Sequence, residues 1–215
     1  MKDDKTESMI ASMAEDLKPV ERLKDPKRLF FLWMLVTVFF VHAGIWLTGP
    51  LRAGFLGEMV ENPVFAIEFL LGLLISPVAA YFAFCLMVPG SVDDKSKRVY
   101  SGPVILFLVS MIILFGFIGP SLPESAGAKR DQCMLQIYGL SFLPFLFLLF
   151  LLTKGASMRP KLSGFLAGMA AASPAAIAMH VACMYAPAHV LIYHVSPVVV
   201  VGVLGSVVYS RYFSV

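Results

Sequence analysis

Six stretches of mostly apolar residues, each about as long as the roughly 20-residue helix that crosses a bilayer, constrain this chain more than any other feature. They run from Leu29 to about Gly49, Val64 to Val88, Pro103 to Ile118, Cys133 to Thr153, Leu162 to Ala186 and Val190 to Tyr209. The third is the shortest. Turns bearing proline or glycine separate them at Gly49-Pro50, Pro89-Gly90, Gly119-Pro120 and Pro187. None alternates in polarity as a lipid-facing β-strand must, so the expected architecture is an all-α membrane bundle. Only 14% of residues are charged, against about 25% in soluble domains. Mean hydropathy is +0.82.

Charge placement gives the bundle a direction. Alternate loops divide the 17 Lys and Arg residues into fourteen on one side and three, Arg52, Lys129 and Arg130, on the other. The positive-inside rule puts the fourteen in the cytoplasm, so both termini are expected inside. The expected division is a cytoplasmic arm at 1–28, a six-helix domain at 29–210 and a cytoplasmic tail at 211–215. The location expected is a bacterial inner membrane. The arm MKDDKTESMIASMAEDLKPVERLKDPKR mixes acidic and basic residues, unlike a signal peptide, and is expected to be retained. A net charge of +3 spread along the chain gives no reason to expect nucleic-acid binding.

Small residues mark expected contacts between spans. Gly164 and Gly168, followed by Ala170-Ala171-Ala172-Ser173, give the fifth span a close-packing face, and Gly202 and Gly205 do the same for the sixth. Pro174 and Pro197 are expected to kink these two spans.

Topology gathers the chemistry-bearing side chains in the outer half. His180, Cys183 and Met184 share one face at the end of the fifth span by their i, i+3, i+4 spacing. Cys133 and Met134 open the fourth. Glu68, His42, His189 and His194 lie in the same half, whereas Cys85 lies at the cytoplasmic end and is read as packing. Thiolate, imidazole and thioether groups suit soft or borderline ions such as zinc, cadmium or copper(I). Two thiols facing an oxidising compartment can instead form a disulfide or react with an oxidant. There is no CxxC and no zinc-ribbon spacing.

In the arm, Met9, Ile10, Met13, Leu17, Val20 and Leu23 recur at helical intervals between charges. Thr6 or Ser8 is the expected cap, Pro19 opens a second short helix and Pro26 ends it. Such a stripe can dock in a partner's groove or lie on lipid, and the balance of charges favours a protein partner.

The chain as a whole resembles the NrsF family of six-span inner-membrane anti-sigma factors. The resemblance is carried by Asp16-Leu17-Lys18-Pro19-Val20-Glu21-Arg22-Leu23, Val88-Pro89-Gly90, Cys133, Lys154-Gly155-Ala156 and Arg159-Pro160-Lys161-Leu162-Ser163-Gly164. His180, Cys183 and Ala188-His189-Val190-Leu191-Ile192-Tyr193-His194 complete it. It implies a non-enzymatic regulator whose arm, from about Met9 to Leu23 and including Pro19, binds an extracytoplasmic-function (ECF) sigma factor. It implies that Cys133 and Cys183 sense heavy metal or oxidative stress, with His180 and His189 beside them. It implies no obligatory cofactor, a soft metal ion entering as signal. The rival readings are a membrane thiol oxidoreductase and a small transporter coupled to metal or protons through Glu68 and the histidines. No nucleotide loop or hydrolase motif is present.

Overall fold

Prolines open three of the long helices at the first helical position, where a missing N–H costs nothing. Asp25 caps the first of them by accepting from the Lys27 N–H at 3.0 Å. Asn62 caps the second by accepting from Val64 N–H at 3.1 Å and Phe65 N–H at 3.3 Å. Pro26 starts a membrane helix behind its capping aspartate; the second arm helix expected to end there falls on residues 16–24, outside the described residues.

The computed structural model describes residues 2–15, 25–49, 51–90, 102–112, 132–183 and 186–213. The elements are α1 (Lys2–Glu15), α2 (Pro26–Thr48), α3 (Phe55–Glu61), α4 (Pro63–Leu86), α5 (Gly102–Ile112), α6 (Cys133–Leu152) and α7 (Pro160–Ala182). A single turn, Pro187–His189, then leads through a π-helical segment, Val190–Val195, into α8 (Ser196–Tyr212). Among the described residues there is no strand. Among the described residues, five helices are long and apolar enough to cross a membrane: α2, α4, α6, α7 and the continuous run Val190–Tyr212. The expected third span is described only as α5, whose 11 residues reach about 16 Å at 1.5 Å per residue. Its remainder lies outside the described residues.

α7 is the hub. It is 72% buried over its apolar window, against 22–44% for the other four, and it packs on α8, α4 and α6. Its small residues explain this. A Cβ added at Gly164 would strike the Gly205 carbonyl, and one at Gly168 the Val201 carbonyl, so the backbones of α7 and α8 touch. Around it, Phe31, Leu35, Phe39, Trp46, Leu70, Phe142 and Phe150 point outward, an apolar exterior suited to lipid.

α7 runs unbroken through Pro174. That proline cannot donate to the carbonyl four residues back, Ala170. The Ser76 hydroxyl of α4 donates to it instead, at 2.9 Å. Across the bundle the Trp33 indole donates to the Pro144 carbonyl at 2.9 Å. At the end remote from the N-terminus of α6, the turn after α6 docks on α4 through Ala156 N–H and the Met87 carbonyl, 2.9 Å.

Candidate functional site

The last turn of α7 leaves carbonyls with no helical partner. Arg52, in the loop before α3, takes two of them. Its backbone N–H donates to the Val181 carbonyl at 3.2 Å, and Nη1 donates to the Cys183 carbonyl at 2.8 Å. Nη2 pairs with Glu58 of α3, and the guanidinium lies 5.3 Å from the centre of the Phe65 ring. A cation at a helix C-terminus is also favoured by the helix dipole. This clasp was not legible as a site: Arg52 stood out only as one of three basic residues on its side. The available signal was an arginine followed six residues later by Glu58 in a short loop bounded by Pro50 and Pro63.

Cys183 caps α7 in an extended conformation (φ −104°, ψ 169°), its N–H donating to the Met179 carbonyl. It therefore leaves the helical face it was expected to share with His180. Met184 lies outside the described residues. Cys133 is the first residue of α6. The two meet across 50 positions of sequence: the Cys133 thiol donates to the Cys183 sulfur at 2.9 Å. His189 Nε2 is 3.2 Å from the Cys183 sulfur. His194 completes the group, and one ligand atom from each of Cys133, Cys183, His189 and His194 lies within 4.8 Å of every other. All four residues are buried.

The π-helical segment is what brings the two histidines together. Five residues of α-helix turn the chain by about 500°, leaving side chains roughly 140° apart. Bonding over five residues widens the turn and puts such residues on one face. The Ser196 N–H bonds the Leu191 carbonyl, five back, and the rings of His189 and His194 meet edge to face at 5.1 Å. Pro197 accounts for the wide turn: it has no N–H to give and its ring crowds the preceding turn. The Ser196 hydroxyl donates to the Ile192 carbonyl at 2.5 Å. Where a kink was expected at Pro197, the chain carries a π-turn immediately before it.

His180 belongs to an adjoining group. Its ring stacks on Phe65 at 4.7 Å, Nε2 is 3.5 Å from Glu68 Oε2, and its edge faces His194 at 6.3 Å. An intramembrane carboxylate paired with an imidazole follows the general behaviour of ionisable residues in bilayers. A cavity of about 80 Å³ opens beside the pair, with Ser110, Ser173 and His194 also on its wall. His42 joins neither group; it is exposed, and its Nδ1 lies 2.8 Å from the Val38 carbonyl of its own helix. Cys85 is half-buried in the last turn of α4.

In the arm, Met9, Ile10 and Met13 are more than half exposed on α1. α1 begins at Lys2, so Thr6 and Ser8 lie inside the helix and do not cap it. Leu17, Pro19, Val20 and Leu23 lie outside the described residues.

Chemically, two thiols and two imidazoles in one buried pocket can hold a borderline-soft cation, and the thiols can pair under oxidation. Neither a curated protein nor a solved structure matches the chain. Residues 13–214 match the family model described as NrsF, negative regulator of sigma F. With nearly its whole length covered, the chain belongs to the NrsF family.

Proposed function

We propose that this negative regulator of a sigma factor is a one-piece membrane switch. Its arm, residues 1–28, retains an ECF-type sigma factor in the cytoplasm of a bacterium and withholds it from RNA polymerase. Cys133 and Cys183 face the periplasm across the inner membrane, and heavy metal or an oxidant acting on them releases the sigma factor. Both termini are cytoplasmic, and a sixth span includes α5.

The observation that carries this reading is the meeting of Cys133 and Cys183, 2.9 Å apart, at the junction of α6 and the hub helix α7. Any reaction at that pair alters how the N-terminus of α6 sits against the C-terminus of α7. A signal shifts a two-state equilibrium only as far as its affinities for the two states differ. A coupling of about 1–3 kcal/mol changes sigma affinity roughly 5- to 150-fold. The exposed apolar residues Met9, Ile10 and Met13 suit a partner's groove.

Deletion of residues 1–25 tests the reading in membranes. The truncated protein should lose the sigma factor from the membrane fraction while the full chain retains it. Retention by the truncated protein would overturn the assignment of the arm, and absence of sigma factor from both would overturn the switch.

A further inference from the structure

The thiol pair is half of a larger set. We propose that Cys133, Cys183, His189 and His194 form one closed four-coordinate site for a divalent d10 cation, zinc or cadmium, with His194 as its fourth ligand. The proposal deepens the sensor reading and rests on it for its consequence; the coordination itself stands on geometry.

Two bonds of about 2.3 Å from zinc to sulfur place the sulfurs roughly 3.8 Å apart at a tetrahedral angle, and bonds to imidazole nitrogen of about 2.0 Å give slightly shorter edges. The separations here run from 2.9 Å between sulfurs and 3.2 Å from sulfur to His189 up to a limit of 4.8 Å. An ion enters if the sulfur pair opens by about 1 Å and the widest edge closes by a similar amount.

His194 supplies the second, independent observation. It is 2% exposed, and neither ring nitrogen reaches good hydrogen-bond geometry; the polar group nearest to bonding it is the thiol of Cys183, itself one of the four ligands. A buried imidazole left this way is costly. A metal bond gives one nitrogen a well-directed partner in place of a weak, poorly aligned contact with a thiol. His180 is not a candidate for the same corner, because its ring is engaged by Phe65 and Glu68. The π-turn has a purpose on this reading, since a continuous α-helix would aim His194 away from His189.

Charge favours the same occupant. Binding of a divalent ion to the reduced site displaces two protons, one from each thiol, which pass to water. Two thiolates then cancel the ion's charge, so the loaded site is neutral within a low-dielectric surround. Occupied sulfurs are also unavailable for disulfide formation, so metal and oxidant compete for one pair.

The test uses the reduced full-length protein in nanodiscs, titrated with cobalt(II) as a spectroscopic stand-in for zinc. One equivalent should give sulfur-to-cobalt charge transfer and the intense ligand-field bands of tetrahedral cobalt, both removed by added zinc or cadmium. His194→Ala should alter those bands and weaken binding beyond the roughly 10- to 100-fold that loss of an outer-shell partner costs. His180→Ala should leave the bands in place. His194→Cys keeps a four-ligand site and should strengthen the charge-transfer band, which separates loss of a ligand from loss of fold. Weak octahedral bands, no binding by the reduced wild-type protein, or an unchanged spectrum in His194→Ala would each overturn the site. Release of sigma factor by oxidant from a protein that binds no metal would overturn the ligand set and leave the sensor reading standing. Tight tetrahedral binding without any change in sigma retention would support the site and sink its role as the signal.

Discussion

α7 lies against the same stretch of chain, the π-turn and α8, along most of its length, and the two ends of that contact are built differently. At the Gly164 end, glycine backbones meet carbonyls with no space between them. At the Cys183 end, the contact holds four buried ligand-type side chains, a Glu68–His180 pair, a cavity and a widened helical turn. Close-packed backbone has one arrangement, whereas a pocket of polar groups beside a cavity has room for more than one. On the proposed function, the glycine end is the pivot and the thiol end is where a signal acts.

The comparison breaks most sharply at Gly168. A Gly168→Leu substitution drives a side chain into the Val201 carbonyl, and should cost about 3 kcal/mol or more. Thermal unfolding in detergent would show it as a large fall in midpoint, and an unchanged midpoint would mean that α7 and α8 do not touch there. Next in size, Cys133→Ser or Cys183→Ser should leave sigma retention intact and remove the roughly 5- to 150-fold weakening caused by metal. Co-purification of sigma factor with and without cadmium measures this, and normal release in both variants refutes the thiol end as sensor. Arg52→Ala leaves the Val181 and Cys183 carbonyls and Glu58 without their shared partner. It should cost about 1–3 kcal/mol and speed alkylation of Cys183. Smallest is Ser76→Ala, which removes the donor to the Ala170 carbonyl freed by Pro174. Interhelical hydrogen bonds in bilayers contribute about 0.6 kcal/mol on average, so the shift in midpoint should be slight, and a large one would mark Ser76 as part of the pivot.

Much of the bundle was readable from local signals. Pro63 and Pro160 begin helices close to where the apolar runs begin, and Cys133 opens α6 as expected. Gly164, Gly168, Gly202 and Gly205 lie on the touching faces that their small size suggested. Pro26 opens α2 behind the Asp25 cap, and the second arm helix expected before it falls outside the described residues. Local reasoning failed at the start of the arm helix. Thr6 and Ser8 are good caps, but α1 starts before them.

The site was half legible. Cys133, Cys183 and all four histidines could be assigned to one half of the bundle, and Cys133, Cys183, His189 and His194 lie in one pocket. His180 does not, because the i, i+3 pairing assumed that the helix continued to Cys183, whereas α7 ends at Ala182. His194 enters because Pro197 forces a π-turn and so shifts the phase of every side chain before it. A 3.6-residue period cannot foresee that shift.

What the sequence determined by itself was the solvent and the element type: apolar runs of membrane length leave helices as the way to satisfy every backbone polar group. It also marked the two spans whose small residues let their backbones touch, Gly164 and Gly168 on one and Gly202 and Gly205 on the other. Tertiary structure decided which side chains meet. Cys133 and Cys183 are 50 residues apart, and Arg52 reaches Cys183 from 131 residues away. Such pairings depend on helix rotation and helix ends, which leave no local signature strong enough to read, and on a π-turn that Pro197 marks but whose change of phase a 3.6-residue period hides.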